Sequence, residues 1–450
     1  MQNKINFKIN NFGPINEANI NINQINILGG VNGSGKSLSS KLLFCFLTSL
    51  SNQGKLIENS GILASYESFI NRWIDNFPKS KPDSIQYNFG ELIDEINSLM
   101  ITWQEDNINY EYLIGFFSKF ENILNKYELL NNESCKNELD LIKNSIDINK
   151  DRYGYIVRVI NYLLLVEFGK SQIKFYKDAI IEFGDEFDNL FNYKLTFNEN
   201  SYETSFNNQM NLNNYDFKNI IYIDSPSLLN FYIKSDNGLK INGNTGQFHY
   251  YNLLKGLISK RDNNSIAIEE LYYQNSKNLE SELIDMIGGC FEFNDETSKF
   301  IFKTDNNEYD IINIASGYKQ IGILQLLLTN KVISEGDWII FDEPEINLHP
   351  GMQIKLAELL VKMAAELNIC IYINSHSPYI IEAFEVYSKQ YNVDNKTSFF
   401  LSELIDNNSQ KFDIREIECE NLEILYDNLA EPYHIINKVR FDNEWNEEFE

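Results

Sequence analysis

Apolar and polar residues alternate from the start of the chain. Ile5, Phe7 and Ile9 are separated by polar residues, as are Ile20 and Ile22, and Ile25 and Ile27. A period of two puts such residues on one face of a strand, so residues 4–28 read as strands. The pattern stops at a glycine-rich stretch, residues 29–37, and residues 37–50 read as a buried helix. From about 52 to 217 the texture changes to Leu, Ile, Glu and Lys. Leu139, Ile142 and Ile146 recur at helical spacing, as do Ile156, Ile160, Leu163 and Leu164. Pro78 and Pro82 interrupt the segment near its start. Its heptads are not sustained, which argues against a very long coiled coil and for a helical insertion.

Strand character returns at 219–224, and a polar loop is expected at 235–247, before helices over 250–288. Strands are expected at 290–293, 299–303, 309–314, 338–342, 370–374 and 397–403. Helices are expected at 317–334, 351–367 and 378–389. Strands alternating with helices imply an α/β fold around a mostly parallel sheet. The expected division is a head formed by residues 1–51 and 218–450, interrupted by the helical segment 52–217.

Charge narrows the partners. The net charge of -27 makes the surface as a whole repel nucleic acid and anionic membrane. No Lys/Arg run marks a polybasic site, so nucleic acid stays open as a partner but is not favoured. The acidic end, residues 442–450, reads as a solubilising tail. Cys45, Cys135, Cys290, Cys370 and Cys419 are odd in number and widely spaced, with no C-x-x-C. Neither a zinc site nor a disulfide framework is supported, and a reducing, cytoplasmic setting fits. The chain opens on a strand pattern without a signal peptide, and the most apolar stretch, residues 42–50, is too short to span a bilayer.

Four motifs carry chemistry. Gly30-Val31-Asn32-Gly33-Ser34-Gly35-Lys36-Ser37 fits G-x-x-x-x-G-K-[ST] between a strand and a helix. Asn32, Gly33, Ser34 and Gly35 would turn backbone N–H groups toward phosphate oxygens, and the helix adds its positive end. Lys36 would reach the β- and γ-phosphates, and Ser37 would bind Mg²⁺. Trp338-Ile339-Ile340-Phe341-Asp342-Glu343 is an apolar strand ending in two acids. Asp342 would hold the Mg²⁺ shell and Glu343 would polarise the attacking water. Ala315-Ser316-Gly317-Tyr318-Lys319-Gln320 precedes an apolar helix. Ser316 reads either as a plain N-cap or, with Gly317, as a γ-phosphate sensor. Asn374-Ser375-His376-Ser377-Pro378 puts His376 at a strand end, as a turn residue or as a γ-phosphate contact. No G-x-S-x-G elbow supports a hydrolase triad.

The order phosphate loop, Ser-Gly signature, acid-ended strand, histidine is that of ABC-type ATPases, which places both ambiguous motifs on the functional side. The run Asp342-Glu343-Pro344-Glu345-Ile346-Asn347-Leu348-His349-Pro350 and the H-S-P at 376–378 resemble the OLD-like and RecF-like ATPases of bacteria and archaea. The opening Asn11-Phe12-Gly13-Pro14-Ile15 resembles the start of that group. The resemblance covers residues 1–50 and about 218–430. It implies an ABC-type head that binds and hydrolyses ATP with Mg²⁺ and closes as a homodimer around two nucleotides, with Lys36, Glu343 and His376 catalytic. A Toprim nuclease is not expected, because no D-x-D follows the histidine motif. Long coiled coils, a zinc hook and the L-S-G-G-Q of transporters are also missing. Stand-alone heads of this kind resemble the ATPase subunits of anti-phage systems such as Septu and PARIS, where a separately encoded effector acts. The alternatives are a RecF- or SMC-like repair ATPase binding DNA directly and, less favoured, a transporter ATPase. The insertion reads as a partner-docking arm or as a stabilising lobe. No glutamine stands at 225–227, where a Q-loop belongs.

Overall fold

The computed structural model describes residues 5–51, 152–169, 178–185, 192–197, 202–206, 218–230, 232–235, 238–241, 248–258, 270–406 and 410–447, with isolated positions between 118 and 136. The chain divides into two compact units, Met1–Thr48 with Leu163–Glu450, and Ser49–Tyr162. The helical spacing read at 139–146 and the prolines at 78 and 82 lie outside the described residues.

The elements run β1 (Ile5–Phe12), β2 (Ile15–Ile22), β3 (Ile25–Gly30), α1 (Lys36–Leu50), α2 (Arg152–Phe168), β4 (Ile180–Asp185), β5 (Asn192–Phe197) and β6 (Tyr202–Phe206). They continue with β7 (Ile220–Ile223), β8 (Tyr232–Ser235), β9 (Gly238–Ile241), α3 (Phe248–Ile258), α4 (Glu270–Ile287), β10 (Cys290–Asn294), β11 (Lys299–Lys303) and β12 (Glu308–Asp310). The last are α5 (Ser316–Thr329), β13 (Trp338–Asp342), α6 (Pro350–Leu367), β14 (Cys370–Ser375), α7 (Pro378–Gln390), β15 (Thr397–Asp406), β16 (Lys411–Ile417) and α8 (Glu423–Glu447).

Eleven strands form one sheet in the order β6-β5-β4-β1-β2-β16-β15-β3-β14-β13-β7. The last five pair in parallel. Every residue of β3, β7, β13 and β14 is buried, as expected for parallel strands covered on both faces. The fold is therefore α/β with a large mixed sheet that is parallel from β15 to β7.

The period of two divides the chemistry between the faces. Ile25, Ile27, Ile221, Ile223, Ile339, Phe341, Ile371 and Ile373 join one core with residues of α3, α4, α5, α6 and α7. Fully burying such a side chain contributes about 1.5–3 kcal/mol. The alternate residues turn toward α1, where Tyr222 meets Ser40 and packs its ring edge-on against Phe44. Asp342 lies on this face and pairs in register with Asn374.

Three local expectations change. Within 52–217, read as helical, β4, β5 and β6 are three strands paired antiparallel, and β4 pairs with β1 to extend the head's sheet. Ile181, Phe183, Leu195 and Phe197 alternate and are buried, a strand pattern outweighed in the sequence by the helix formers before it. The third expected strand, 309–314, stops at Asp310, whose carboxylate accepts from Ile312 N and caps a 3₁₀ turn, Ile311–Asn313. Part of the expected loop at 235–247 belongs instead to a β8–β9 hairpin. Among the described residues, no helix is long and apolar enough to cross a membrane.

Candidate functional site

β3 delivers the phosphate loop, and its glycines do what the motif requires. Gly35 has φ +93°, and a Cβ there would sit 2.5 Å from Ile15 Cγ1, so only glycine fits. α1 starts at Lys36, and its first turn closes through Ser39 N donating to Gly35 O at 2.9 Å. Asn32 and Gly33 are exposed at the loop tip, while Ser34 is buried. Among the described residues, the Ser34 hydroxyl finds no hydrogen-bond partner. Such an orphan is costly unless something else meets it, and a phosphate oxygen has the right chemistry.

Lys36 is buried with its ammonium turned back on the loop. It donates to Gly30 O at 2.9 Å and Val31 O at 2.8 Å, and lies 3.3 Å from His376 Nδ1. Burial lowers its pKa to about 8, against the pull of Glu343, Asp342 and Glu345. The same ammonium would gain from an anion in the loop, so the donor set fits a polyphosphate.

β13 and β14 bring the remaining groups together. A lysine can only donate, so His376 Nδ1 accepts from Lys36 and the imidazole proton sits on Nε2. Nε2 then donates to Glu343 Oε1 at 2.8 Å. Glu343 has φ +53°, uncommon for a residue with a side chain, and is held there by its N–H on Asn374 O at 3.0 Å. Behind it, Glu345 Oε1 accepts from Ser375 Oγ at 2.9 Å and from His376 N at 2.5 Å, tying the acid-ended strand's loop to the histidine. Burial pushes the Glu345 carboxyl up, and these donors partly offset it. Burial also raises the Asp342 carboxyl, with Asn374 and the nearby Ser37 hydroxyl opposing. Ser37 and Asp342 could together hold a divalent cation through its water shell.

Ser316 and Gly317 do not join this chain. Ser316 is exposed in the first turn of α5. The N-cap is Ala315, with no side-chain cap bond, so the Ser316 hydroxyl is not used as the plain cap the sequence allowed. A Cβ on Gly317 would sit 2.5 Å from Asn347 O, so α5 is seated tightly on the loop after Glu343. Gln320 Nε2 reinforces the seat by donating to Glu343 O at 3.4 Å. His349 is the N-cap of α6, accepting from Gly351 N. Pro226–Asn230 forms a 3₁₀ turn where a Q-loop would begin.

Motif reading missed the groups around these residues. Asn374, Tyr222 and Ser40 surround Asp342. Their signal was parity alone: Asn374 faces Asp342 across the β13–β14 register. A second cluster lies behind Tyr222. His249 Nδ1 is 2.6 Å from Glu167 Oε2 and Nε2 is 3.2 Å from Asp224 Oδ2, while Lys41 is 3.8 Å from Asp224. Carboxylates only accept, so both ring nitrogens donate and His249 is an imidazolium. Burial works against Asp224 ionising, but His249, Lys41 and Tyr250 outweigh it and hold its carboxyl below the usual range.

Residues 115–382 match the family described as "AAA domain, putative AbiEii toxin, Type IV TA system". No curated protein matches the chain. Among solved structures, it resembles an SMC head bound to the C-terminal winged-helix domain of ScpA. That likeness is at 10% identity, covering 92% of this chain and 98% of that one, with a TM-score of 0.41. The SMC head domain from Thermotoga maritima gives 10% identity, 93% and 100% coverage and a TM-score of 0.37. An SMC head with an extended coiled coil from Pyrococcus furiosus gives 10%, 98% and 100%, with 0.33. The family match spans more than half of the chain and takes in the acid-ended strand and the histidine that face the phosphate loop. On that match, the chain belongs to the AAA-domain family of P-loop ATPases.

Proposed function

We propose that this protein binds and hydrolyses ATP between two copies of itself and uses that cycle to control a separately encoded effector in anti-phage defence. The observation that best supports it is the continuous chain Lys36–His376–Glu343 beside the Ser37–Asp342 pair. In this reading, Lys36 leaves the Gly30 and Val31 carbonyls for the β- and γ-phosphates. The free Ser34 hydroxyl and the N–H groups of residues 32–37 complete the cradle. Ser37 and Asp342 would hold Mg²⁺, which would supply neutralising charge at the phosphates. Glu343 accepts a proton from the attacking water, and His376, positioned by Glu345, keeps Glu343 turned to the site. The exposed Ser316 and the first turn of α5 complete the site of the partner subunit, which accounts for a hydroxyl left out of the cap.

The family's description names a toxin of a Type IV TA system, which favours a partner protein over direct action on DNA. The net charge of -27 leans the same way. The candidate docking arm is the part of the segment 52–217 that precedes the strands β4, β5 and β6. The test is affinity capture of the native full-length protein with its neighbouring gene product, with and without ATP. Capture that depends on ATP and is lost in Lys36→Ala supports the reading. Capture of duplex DNA alone, weakening steeply with salt, replaces it with the repair reading.

Sharing of the site is tested by mixing Lys36→Ala with Ser316→Arg chains. A mixed dimer pairs both lesions in one site and leaves the other intact, so turnover above either single variant is expected. No recovery in mixed dimers shown to form contradicts a shared site.

A further inference from the structure

Asp342 is held on both oxygens by groups to which the motifs assign no role. Asn374 Nδ2 donates to Oδ1 at 2.7 Å and to Ser40 Oγ at 2.8 Å. Tyr222 OH donates to Oδ2 at 3.3 Å and lies 3.0 Å from Ser40 Oγ. Asn374 comes from β14 and Tyr222 from β7, the two strands flanking β13, and Ser40 lies one turn beyond Ser37 on α1. The acid is therefore bracketed from both neighbouring strands and from the phosphate-loop helix.

The bracket is rigid. Asn374 and Ser40 are fully buried and Tyr222 nearly so. The Tyr222 ring is fixed by Phe44 at 5.7 Å and His249 at 5.1 Å between centroids, with Lys41 Nζ 5.9 Å from its centre. Asn374 can present only its NH₂ to Asp342, because a carboxylate offers no donor. A carboxylate has about four lone-pair sites. Asn374 and Tyr222 occupy one on each oxygen.

We propose that Asn374 and Tyr222 are positioning residues for the divalent cation. They fix the rotation of the Asp342 carboxylate so that its remaining lone pairs face the ion shared with Ser37. The proposal rests on the ATP-site reading above and adds residues that reading does not contain. Removing an outer partner of a metal ligand typically costs about 10- to 100-fold in metal affinity.

The experiment uses the full chain with Mn²⁺ as the probe. Free Mn²⁺ is measured by electron paramagnetic resonance in the presence of a slowly hydrolysed ATP analogue. Nucleotide affinity is measured separately in excess EDTA with a fluorescent ATP analogue. Asn374→Ala should weaken Mn²⁺ by about 10- to 100-fold, and Tyr222→Phe, whose bond is longer, by about three- to tenfold. Both should keep wild-type nucleotide affinity in EDTA, which also reports that they fold. Asp342→Asn is the reference. If it loses Mn²⁺ while both other variants stay at the wild-type value, the positioning role is overturned and the ATP-site reading survives. If Asp342→Asn itself binds Mn²⁺ normally, the ATP-site reading falls and the proposal with it. Loss of metal and EDTA-state nucleotide binding together, with a lower melting temperature, makes the bracket part of the fold and also overturns the proposal.

Discussion

Replacing His249 with Gln should destabilise the head in a pH-dependent way. The side chain is fully buried, with Glu167 on Nδ1 and Asp224 on Nε2. The substitution removes the cation but not every partner of the acids. Glu167 keeps the N–H of residue 249 at 3.1 Å, and Asp224 keeps the Tyr250 hydroxyl at 3.1 Å and Lys41 at 3.8 Å. Removing one partner of a buried ion pair costs about 3–5 kcal/mol, and the surviving partners put this case near 3 kcal/mol. At about 2–4 °C per kcal/mol for a large domain, the melting temperature at pH 6 should fall by about 6–12 °C. Burial lowers the imidazolium pKa, but Asp224 and Glu167 overcome it and hold it above the ordinary 6.5. A raised histidine pKa stabilises fully below the unfolded value, and that share is lost as pH rises through the folded value. Asp224, held low, loses its share only in acid, below the ordinary 3.8, and does not enter this range. The gap between wild type and His249→Gln should therefore be widest below pH 6.5 and narrow as pH rises above it, read by thermal denaturation of the full chain. A gap that stays constant across that range refutes the imidazolium.

Gly317→Ala places a methyl 2.5 Å from Asn347 O and 2.8 Å from Leu348 Cδ2. The carbonyl cannot yield as a side chain tip can, so about 1–3 kcal/mol of stability should be lost by thermal denaturation, with ATP turnover falling further than stability explains. Retained turnover would detach α5 from the Glu343 loop. Glu343→Gln keeps an acceptor for His376 Nε2 but removes the base, so steady-state phosphate release should drop by about 10²–10⁴-fold with ATP affinity intact. Turnover within a few-fold of wild type would remove Glu343 from that role.

The parts of the site legible in the sequence are those built from neighbouring residues. The phosphate loop, with Lys36 and Ser37, is a local device whose glycines are dictated by backbone angles. Asp342, Glu343 and His376 end runs of apolar residues that could only be buried strands, so their placement followed from the parallel sheet. What escaped depends on contacts distant in sequence. Tyr222 and Asn374 look like ordinary strand residues until β7 and β14 flank β13. His249 meets Glu167 across 82 positions, a pairing no spacing announces. The strands at 180–206 carried alternation too short to stand out beside the helical segment, and only pairing with β1 makes them sheet. Asp310 ended a strand because its own side chain offered the backbone a cap.

The most direct test of the ATP site is equilibrium binding of fluorescent ATP with Mg²⁺, with phosphate release measured in the same samples of wild type and Lys36→Ala. Lys36 is the cation that the phosphate loop encloses, with Gly30 O and Val31 O as its neighbours. Saturable ATP binding and steady turnover in wild type, both lost in a Lys36→Ala protein that melts normally, is the predicted result. Wild-type protein that binds no nucleotide, or a Lys36→Ala variant that binds and hydrolyses ATP like wild type, would contradict it.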